Sequence, residues 1–449
     1  MPNRTTSPKY KRIVDELSTK INKGEWPPGF QLPTHRALAV QYKVAVMTAS
    51  RVYAELESIG LVSGEVGRGT FVRETALPLS NGIDQPAVKS GLIDLNFNSS
   101  SLSGQTQLLR DGLRQLSLSG DLETLLHYQP HAGRKHERAI VAKHLKASNV
   151  NVDSEQVLIV NGAQHGLACT VMGLLSPGDV VVTDSLTYSG FKVLAQVHRL
   201  ELIPIAVTAH GPDLGALTTI CEQRNVRAIY TIPTMHNPLG WVLDLQQRER
   251  IVAIAEQHDL LIIEDAAYAF LAENPPPPLV TLSPNNCVYI SGISKSVATG
   301  LRVGYIAAPE KWVAKIERVI RATTWNTPSI ITALACHWIE DGTVITLEKE
   351  KRQDAIARQK IAKHVFASMS YFAHPNSYIL WLPLPENVRA DQIVMALLRE
   401  NISVSNAEPF TTSDVVPHAI RIALGSVSLN LLNDALIKIR ETIENCRYL

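Results

Sequence analysis

Apolar positions along the first seventy-odd residues follow a helical period. Over 10–23 they fall at Ile13, Val14, Leu17 and Ile21, which buries one face of a helix. Gly24 ends that run, and Trp26-Pro27-Pro28-Gly29 forms a turn. Thr34 is placed to cap a second helix over 36–42. After a turn at Lys43-Val44, a third helix is expected over 46–58. It buries Val52, Tyr53, Leu56 and Ile59, with Gly60 as its C-cap. Two short strands, 61–63 and 70–73, flank the glycine-rich stretch 64–69 and form a hairpin with it. Residues 74–91 carry Pro, Gly and Ser with no sustained period and read as an exposed tether.

From about Ile93 the pattern changes. Short continuous apolar runs at 157–160, 180–184, 202–207, 228–232 and 260–264 alternate with helical stretches at 162–175, 191–197, 214–223 and 245–258. That alternation predicts an α/β domain: a mainly parallel sheet covered on both faces. Ligands of such sheets bind at the C-terminal ends of the strands. Further on, long helices over 311–340 and 344–367, strands at 377–382 and 419–424, and helices at 391–399 and 431–444 make a smaller α+β lobe. The expected division is a head over 1–75, a linker over 76–92, a large domain over 93–310 and a small domain over 311–449.

Composition sharpens this picture. At 449 residues the chain exceeds one ordinary domain, and 45% hydrophobic with 19% charged residues suits a soluble globular protein. No apolar run reaches a membrane span, and the polar, basic N-terminus lacks the apolar core of a secretory signal. Cys169, Cys221, Cys287, Cys336 and Cys446 are scattered, with no C-x-x-C spacing. This argues for reduced thiols in a cytoplasmic protein and against a metal site. Net charge is +1, but residues 1–75 hold 11 Lys+Arg against 7 Asp+Glu, a balance of +4. A basic module on a slightly acidic body points to nucleic acid at the N-terminus.

Helix, helix, turn, helix, hairpin is the order of a winged helix-turn-helix. The segments LPTHRALAVQY, RVYAELESIGLV and GRGTFV resemble the GntR family of bacterial regulators over about 8–74. The third helix of such a head fits the major groove of double-stranded promoter DNA. Thr48 and Arg51 are expected as exposed polar positions on that helix. Arg36, at the start of the preceding helix, is placed to hold phosphate. Arg68 sits at the hairpin tip, placed for a groove or backbone contact. Surface ion pairs are the alternative for Arg36 and Arg51. The family usually has Ser-Arg where this chain has Ala45-Val46, so two polar DNA contacts are absent and the operator of relatives does not carry over.

In the large domain, residues 288–305 read VYISGISKSVATGLRVGY. A short apolar run ends in a small-residue turn holding Lys295, and Arg302 follows beside Gly304. This suits an amine at the floor of a cleft and a guanidinium aimed at phosphate. In order, NGAQ, DSLTY, PTMHNPLG, EDAAY, SKSVATGLRVGY and HAIRIAL resemble the motif series of fold-type I pyridoxal 5′-phosphate (PLP) enzymes, the aminotransferases. The resemblance implies a role for each motif. Lys295 supplies the amine that links to PLP. Asp265, just past LLIIE, pairs with the ring nitrogen; a helix N-cap is its plainer reading. Asn237 and Tyr268 hydrogen-bond the ring oxygen, although Asn-Pro-x-Gly is also an ordinary turn. Tyr188 stacks on the ring. Gly162, Ala163 and Gln164 offer backbone N–H groups to the phosphate at a helix N-terminus, and Arg302 grips it. Tyr128, in HYQPHAG, reaches a phosphate across a dimer interface. Arg421 holds a substrate α-carboxylate, or is a buried structural arginine. Gly292 departs from the Ser or Thr usual three residues before the lysine, with Ser291 one position earlier and Ser294 or Ser296 able to compensate.

A GntR-type head on an aminotransferase-like body resembles the MocR subfamily of bacterial transcription regulators. That resemblance implies a homodimer that senses PLP, or an amine or amino acid reacting at its imine, and re-spaces two DNA-binding heads. A working aminotransferase with a DNA-binding appendage is the alternative, and the sequence leaves turnover open. A scaffold without cofactor is disfavoured, because nearly every expected PLP contact is filled.

Overall fold

The apolar stripe of the first helix carries the head. The computed structural model describes residues 9–22, 25–27, 29–58, 61–65, 69–72, 92–99, 102, 104–120, 122–208, 211–385 and 388–446. The head and the body form two separate compact units. In the head, α1 (Lys9–Asn22) buries Ile13, Val14, Leu17 and Ile21. Then come α2 (His35–Tyr42) and α3 (Val46–Ser58), where Val52, Tyr53 and Leu56 complete the same core. Thr34 Oγ1 accepts from the Ala37 N–H at 3.2 Å, and Lys43 ends α2 in the left-handed region at φ 49°. The strands β1 (Val62–Glu65) and β2 (Gly69–Val72) pair antiparallel as the wing. The expectations at Gly24, Pro28, Ile59, Gly60 and Arg68, and those for the tether over 73–91, lie outside the described residues.

The body begins with β3 (Ile93–Asp94), α4 (Gln105–Ser117) and α5 (Lys135–Ala147). Next are β4 (Val157–Val160), α6 (Ala163–Leu174), β5 (Val180–Asp184), α7 (Ser189–Val197) and β6 (Glu201–Ile205). A small ribbon, β7 (Val207–Thr208) and β8 (Gly211–Pro212), leads to α8 (Leu214–Gln223), β9 (Val226–Thr231), α9 (Leu245–Gln257) and β10 (Leu261–Asp265). The large domain closes with α10 (Leu279–Leu282), β11 (Cys287–Gly292) and β12 (Gly304–Ala307). Its seven-stranded sheet runs β4-β12-β11-β10-β9-β5-β6. All neighbours are parallel except β12, which is antiparallel to both β11 and β4. The reason is the connection: β11 returns through the turn that holds Lys295, without the crossover helix that a parallel neighbour needs. Alternate residues of each strand feed two cores. Ile262 and Val182 belong to one and Ile263 and Val181 to the other, so the strands are apolar throughout.

The remaining elements are α11 (Glu310–Thr323), α12 (Ser329–Glu340), α13 (Thr343–Val365), β13 (Ile379–Pro383), α14 (Ala390–Arg399), β14 (Ile402–Ser403), β15 (Ser405–Asn406), β16 (Ala419–Ala423) and α15 (Leu429–Cys446). The single helix expected over 311–340 is two helices. Trp325 adopts φ 67°, and Pro328, which has no N–H to donate, starts the second one. Three helices, α4, α5 and the short α10, have no counterpart in the sequence pattern. The small lobe also takes in residues far from 311–449. Leu95 is wholly buried in its core, and β3 pairs with β14. The residues that follow the tether are therefore built into the small lobe.

One close approach sets the centre of the body. Gly292 and Gly304 face each other across β11 and β12. A Cβ on Gly304 would lie 2.6 Å from the carbonyl carbon of Gly162 and 2.8 Å from the Ala163 nitrogen, both backbone atoms. Gly304→Ala is expected to cost about 1–3 kcal/mol. Gly300→Ala, where a Cβ meets nothing within 4 Å, is expected to stay within about 0.5 kcal/mol. Urea unfolding of the two variants checks the contrast.

Candidate functional site

The C-terminal ends of the central strands open into a cavity of about 370 Å³, within the size range of cofactor pockets. Asp265, the last residue of β10, lies at its floor with 4% exposure. Its Oδ2 accepts from the Tyr230 hydroxyl at 2.9 Å and its Oδ1 from the Ala267 N–H at 3.0 Å. Burial pushes this carboxyl's pKa up, and those two donors with the nearby His236 partly offset the rise. A carboxylate so placed is stabilised by a cationic N–H such as a protonated pyridine offers. Asp265 caps no helix: its bond to Ala267 is an i,i+2 turn bond, and the helical turn Ala269–Leu271 that follows has Tyr268 at its N-cap.

His236, which the sequence reading passed over, fixes the loop that carries Asn237. Its ring is fully buried, with Nδ1 accepting from the Leu239 N–H at 3.3 Å. Nε2 therefore carries the proton and donates to Asp184 Oδ2 at 3.2 Å. The Asn237 side chain lines the cavity, and its Oδ1 is buried without a partner among the described residues. Tyr268 and Tyr188 line the same cavity. Burial pushes the Tyr188 phenol up to about 12, with Asp265 and Tyr268 adding to the rise.

Lys295 is half-buried in the turn after β11. Its Nζ donates to the Asn98 carbonyl at 3.0 Å and stands 5.6 Å from the centre of the Tyr268 ring. Beneath it, Lys351 on α13 is 1% exposed and donates to the carbonyls of Lys295 and Val297, each at 3.1 Å. Burial first, then the charge of Lys295, brings the Lys351 pKa down to about 8. Glu348, one helical turn earlier, is pushed up to about 7 by burial, against the pull of the Arg352 guanidinium.

The anion cradle depends on Gly162. At φ 80° it adopts a conformation that side chains avoid, and a Cβ there would lie 2.7 Å from Arg302 Nη2. Its absence lets the guanidinium lie against the start of α6, where Ala163 and Gln164 line the cavity. Arg302 also donates to the Asn161 carbonyl at 3.4 Å. A helix N-terminus and a guanidinium on one side of a cavity make a phosphate site. Gly292 now has a physical reason. A Cβ there would lie 2.6 Å from the Val303 carbonyl oxygen and 2.7 Å from Gly304 Cα, so no serine fits. Of the serines nearby, Ser291 donates to the Ala266 carbonyl at 3.1 Å. Ser294 lines the cavity, with a buried hydroxyl that has no partner among the described residues.

Arg421, on β16, is 3% exposed and lines the opposite wall. Nη1 donates to the Asn96 carbonyl, and Nε has no partner among the described residues. This arginine thus makes a structural bond with one nitrogen and leaves another unpaired in the cavity wall. Tyr128 is 86% exposed, packs on Trp325 at 5.5 Å and does not line its own chain's cavity. Asn96, Phe97 and Asn98 line the cavity too; nothing in their local sequence marks them.

In the head, Arg36 is exposed near the start of α2. Thr48 is half-buried rather than exposed as expected, one helical turn before the wholly buried Val52. Arg51 is exposed and lies 4.1 Å over the Tyr10 ring, donating to its hydroxyl at 3.1 Å. That cation–π contact takes the place of the ion pair considered for it. At the start of α3, Met47 is 81% exposed. Arg68 lies outside the described residues.

The comparisons match this geometry. Residues 90–439 match the family of class I and II aminotransferases, and residues 9–72 match the GntR family of bacterial regulatory proteins. The uncharacterized HTH-type transcriptional regulator YdeF of Bacillus subtilis is 26% identical over 99% of this chain and 96% of its own length. The 2-aminoadipate transaminase of Thermus thermophilus is 24% identical over 68% of this chain and 78% of its own. Among solved structures, an archaeal alanine:glyoxylate aminotransferase superposes with a TM-score of 0.73 at 22% identity, covering 88% of this chain and 94% of that one. The kynurenine aminotransferase of Pyrococcus horikoshii gives 0.74 at 20% identity, covering 80% and 92%. These two share the fold. Among the described residues, no cluster of His, Cys, Asp or Glu could hold a metal, the five cysteines are free, and no single helix is long and apolar enough to cross a membrane.

Glu348 provides a test of the buried shell beneath Lys295. Its folded pKa is raised from 4.5 to about 7, so its contribution to stability is fully present below 4.5 and lost as pH rises through about 7. Glu348→Gln removes that loss. The variant is expected to gain about 1–3 kcal/mol over the wild type near pH 8, relative to the difference near pH 4. Urea unfolding at the two pH values checks it.

Proposed function

The chain belongs to the class I and II aminotransferase family and carries a GntR-type head, the layout of a MocR-type regulator, and from that premise we propose that the occupancy of the cavity around Lys295 sets how the protein binds its operator. One observation carries this reading: Lys295, Asp265, Arg302 and Arg421, scattered through 157 residues of sequence or more, converge on one cavity in a chain that begins with a DNA-binding head.

The residues present fit PLP. Asp265 answers a ring nitrogen, and the orphaned Asn237 Oδ1 and the Tyr268 side chain face the cavity. Arg302 and the start of α6 answer a phosphate, with Ser294 as an added hydroxyl. When bound, PLP supplies an electrophilic carbon that takes up amines reversibly. The protein's own residues do the rest. Lys295 offers the amine for the resident covalent link, and Asp265 holds a proton at the ring nitrogen. Arg302 anchors the phosphate end, and Arg421 presents a guanidinium to an incoming carboxylate. An amine or amino acid that displaces Lys295 changes the contacts Lys295 makes with Asn98. A ligand shifts a conformational equilibrium only through such differential contacts.

The protein is read as a cytoplasmic homodimer. Leu118, Leu126 and Tyr128 are exposed by 85%, 80% and 86%, an apolar surface suited to a second copy. Tyr128 then serves the partner's phosphate site. Arg36, Thr48, Arg51 and Arg68 are assigned to the DNA surface, with Arg36 on the backbone. Turnover as an aminotransferase is the competing reading; repeated conversion of amino acid by purified protein would favour it.

Purified wild type is expected to take up PLP with a visible absorbance that Lys295→Ala abolishes. A wild type that stays colourless in excess PLP would overturn this reading. Arg36→Ala is expected to weaken operator binding about equally across sequences and to lower the salt dependence by about one unit of slope. Gel-shift titrations at several salt concentrations measure it, and an unchanged slope removes Arg36 from the DNA surface.

A further inference from the structure

Residues 95–98 run along 421–425 as one hydrogen-bonded frame. The Leu95 carbonyl accepts from the Ala423 N–H at 2.7 Å, and the Asn96 carbonyl accepts from Arg421 Nη1. The Phe97 carbonyl accepts from the Ser426 hydroxyl, and Asn98 Oδ1 accepts from the Gly425 N–H at 3.1 Å. That last bond fixes the orientation of the Asn98 amide, since a flip would set two donors face to face. Nδ2 is then the donor, and it has no partner among the described residues although Asn98 is only 4% exposed. Arg421 Nε, 3% exposed as a residue, is likewise without a partner. Both side chains line the cavity that holds Lys295.

Two buried donors without acceptors are costly in a closed interior unless something supplies the acceptor. Because one donor is a guanidinium, an anionic acceptor is favoured. We propose that Asn98 is a ligand-binding residue, its Nδ2 donating to the carboxylate of an α-amino acid that Arg421 also holds. The inference rests on the reading of this cavity as a PLP and amine site. It adds a consequence for signalling. A free Lys295 Nζ donates to the Asn98 carbonyl. An amino acid that displaces Lys295 from PLP frees Nζ for that bond and adds a second one at the Asn98 amide. Asn98 lies just past β3, in the segment that follows the tether, so ligand exchange acts on the part of the body joined in sequence to the DNA-binding head.

The test uses the full-length, PLP-loaded protein and its visible absorbance. A panel of the standard L-amino acids is titrated, and each responder is paired with its decarboxylated amine, isopentylamine in the case of L-leucine. Asn98→Asp keeps the acceptor for Gly425 and replaces the donor with a like charge; Asn98→Ala removes the donor without adding one. The midpoint for the amino acid is expected to rise about tenfold to a hundredfold in both variants. The midpoint for the amine should stay within about twofold, since it carries no carboxylate. Equal effects on amine and amino acid, or no effect on either, overturn the assignment of Asn98 while the PLP reading stands. So does a wild type that binds PLP but responds to no L-amino acid. A wild type that never acquires the absorbance overturns the PLP reading itself, and this inference with it.

Discussion

Gly162, Gly292 and Gly304 meet where β11, β12 and the start of α6 come closest, and the site depends on that contact. Backbone packs on backbone there, at separations no Cβ tolerates. The close pairing of Gly292 with Gly304 places the turn after β11, and with it Lys295, at the cavity floor. The approach of Gly304 to Gly162 brings the end of the Lys295 turn against the N-terminus of α6, and the missing side chain at 162 is the room Arg302 occupies. The positions of Arg302, the start of α6 and Lys295 are thus set by one local exclusion of side chains. The same exclusion accounts for the departure at 292. A hydroxyl three residues before the lysine has no space, and the hydroxyl at the cavity is that of Ser294.

Around this centre the polar groups are arranged by burial. Asp265 accepts from Tyr230 and Ala267, and His236 donates to Asp184, so these buried groups are paired. Among the buried polar atoms without a partner are atoms of Asn98, Gln164, Asn237, Ser294 and Arg421, whose side chains line the cavity, where a ligand can supply the missing partners. The small lobe shares this site: α13 supports the Lys295 turn through Lys351, and β16 supplies Arg421. A change at Lys295 therefore bears on both lobes.

The head works by simpler means. Its three helices are held by one apolar cluster. Arg51 stacks on Tyr10, which ties the middle of α3 to the start of α1 and leaves Met47 the most exposed side chain at the helix's leading end. Ala45 and Val46, at the entry to α3, are exposed apolar positions.

Periodicity was enough for the elements, because a buried face repeats at 3.6 residues in a helix and continuous apolar runs mark strands covered on both sides. The third helix of the head, two strands of the large sheet and the helix over 214–223 were legible to the residue. Lys295, Asp265, Asn237, Tyr268 and Arg302 were legible as candidates because each sits in a short motif of its own, and the cavity collects them all. The sequence could not show what depends on distant partners. Asn98 meets Gly425 and Lys295 across hundreds of residues, and only the fold of 92–99 into the small lobe brings them together. Lys351 reads as one more lysine on a helix until the helix is packed beneath Lys295. The helix over 311–340 breaks before Pro328, after the turn at Trp325, which no local pattern marked. Local chemistry is written in neighbours along the chain; burial, close approach and unsatisfied donors are decided by neighbours in space.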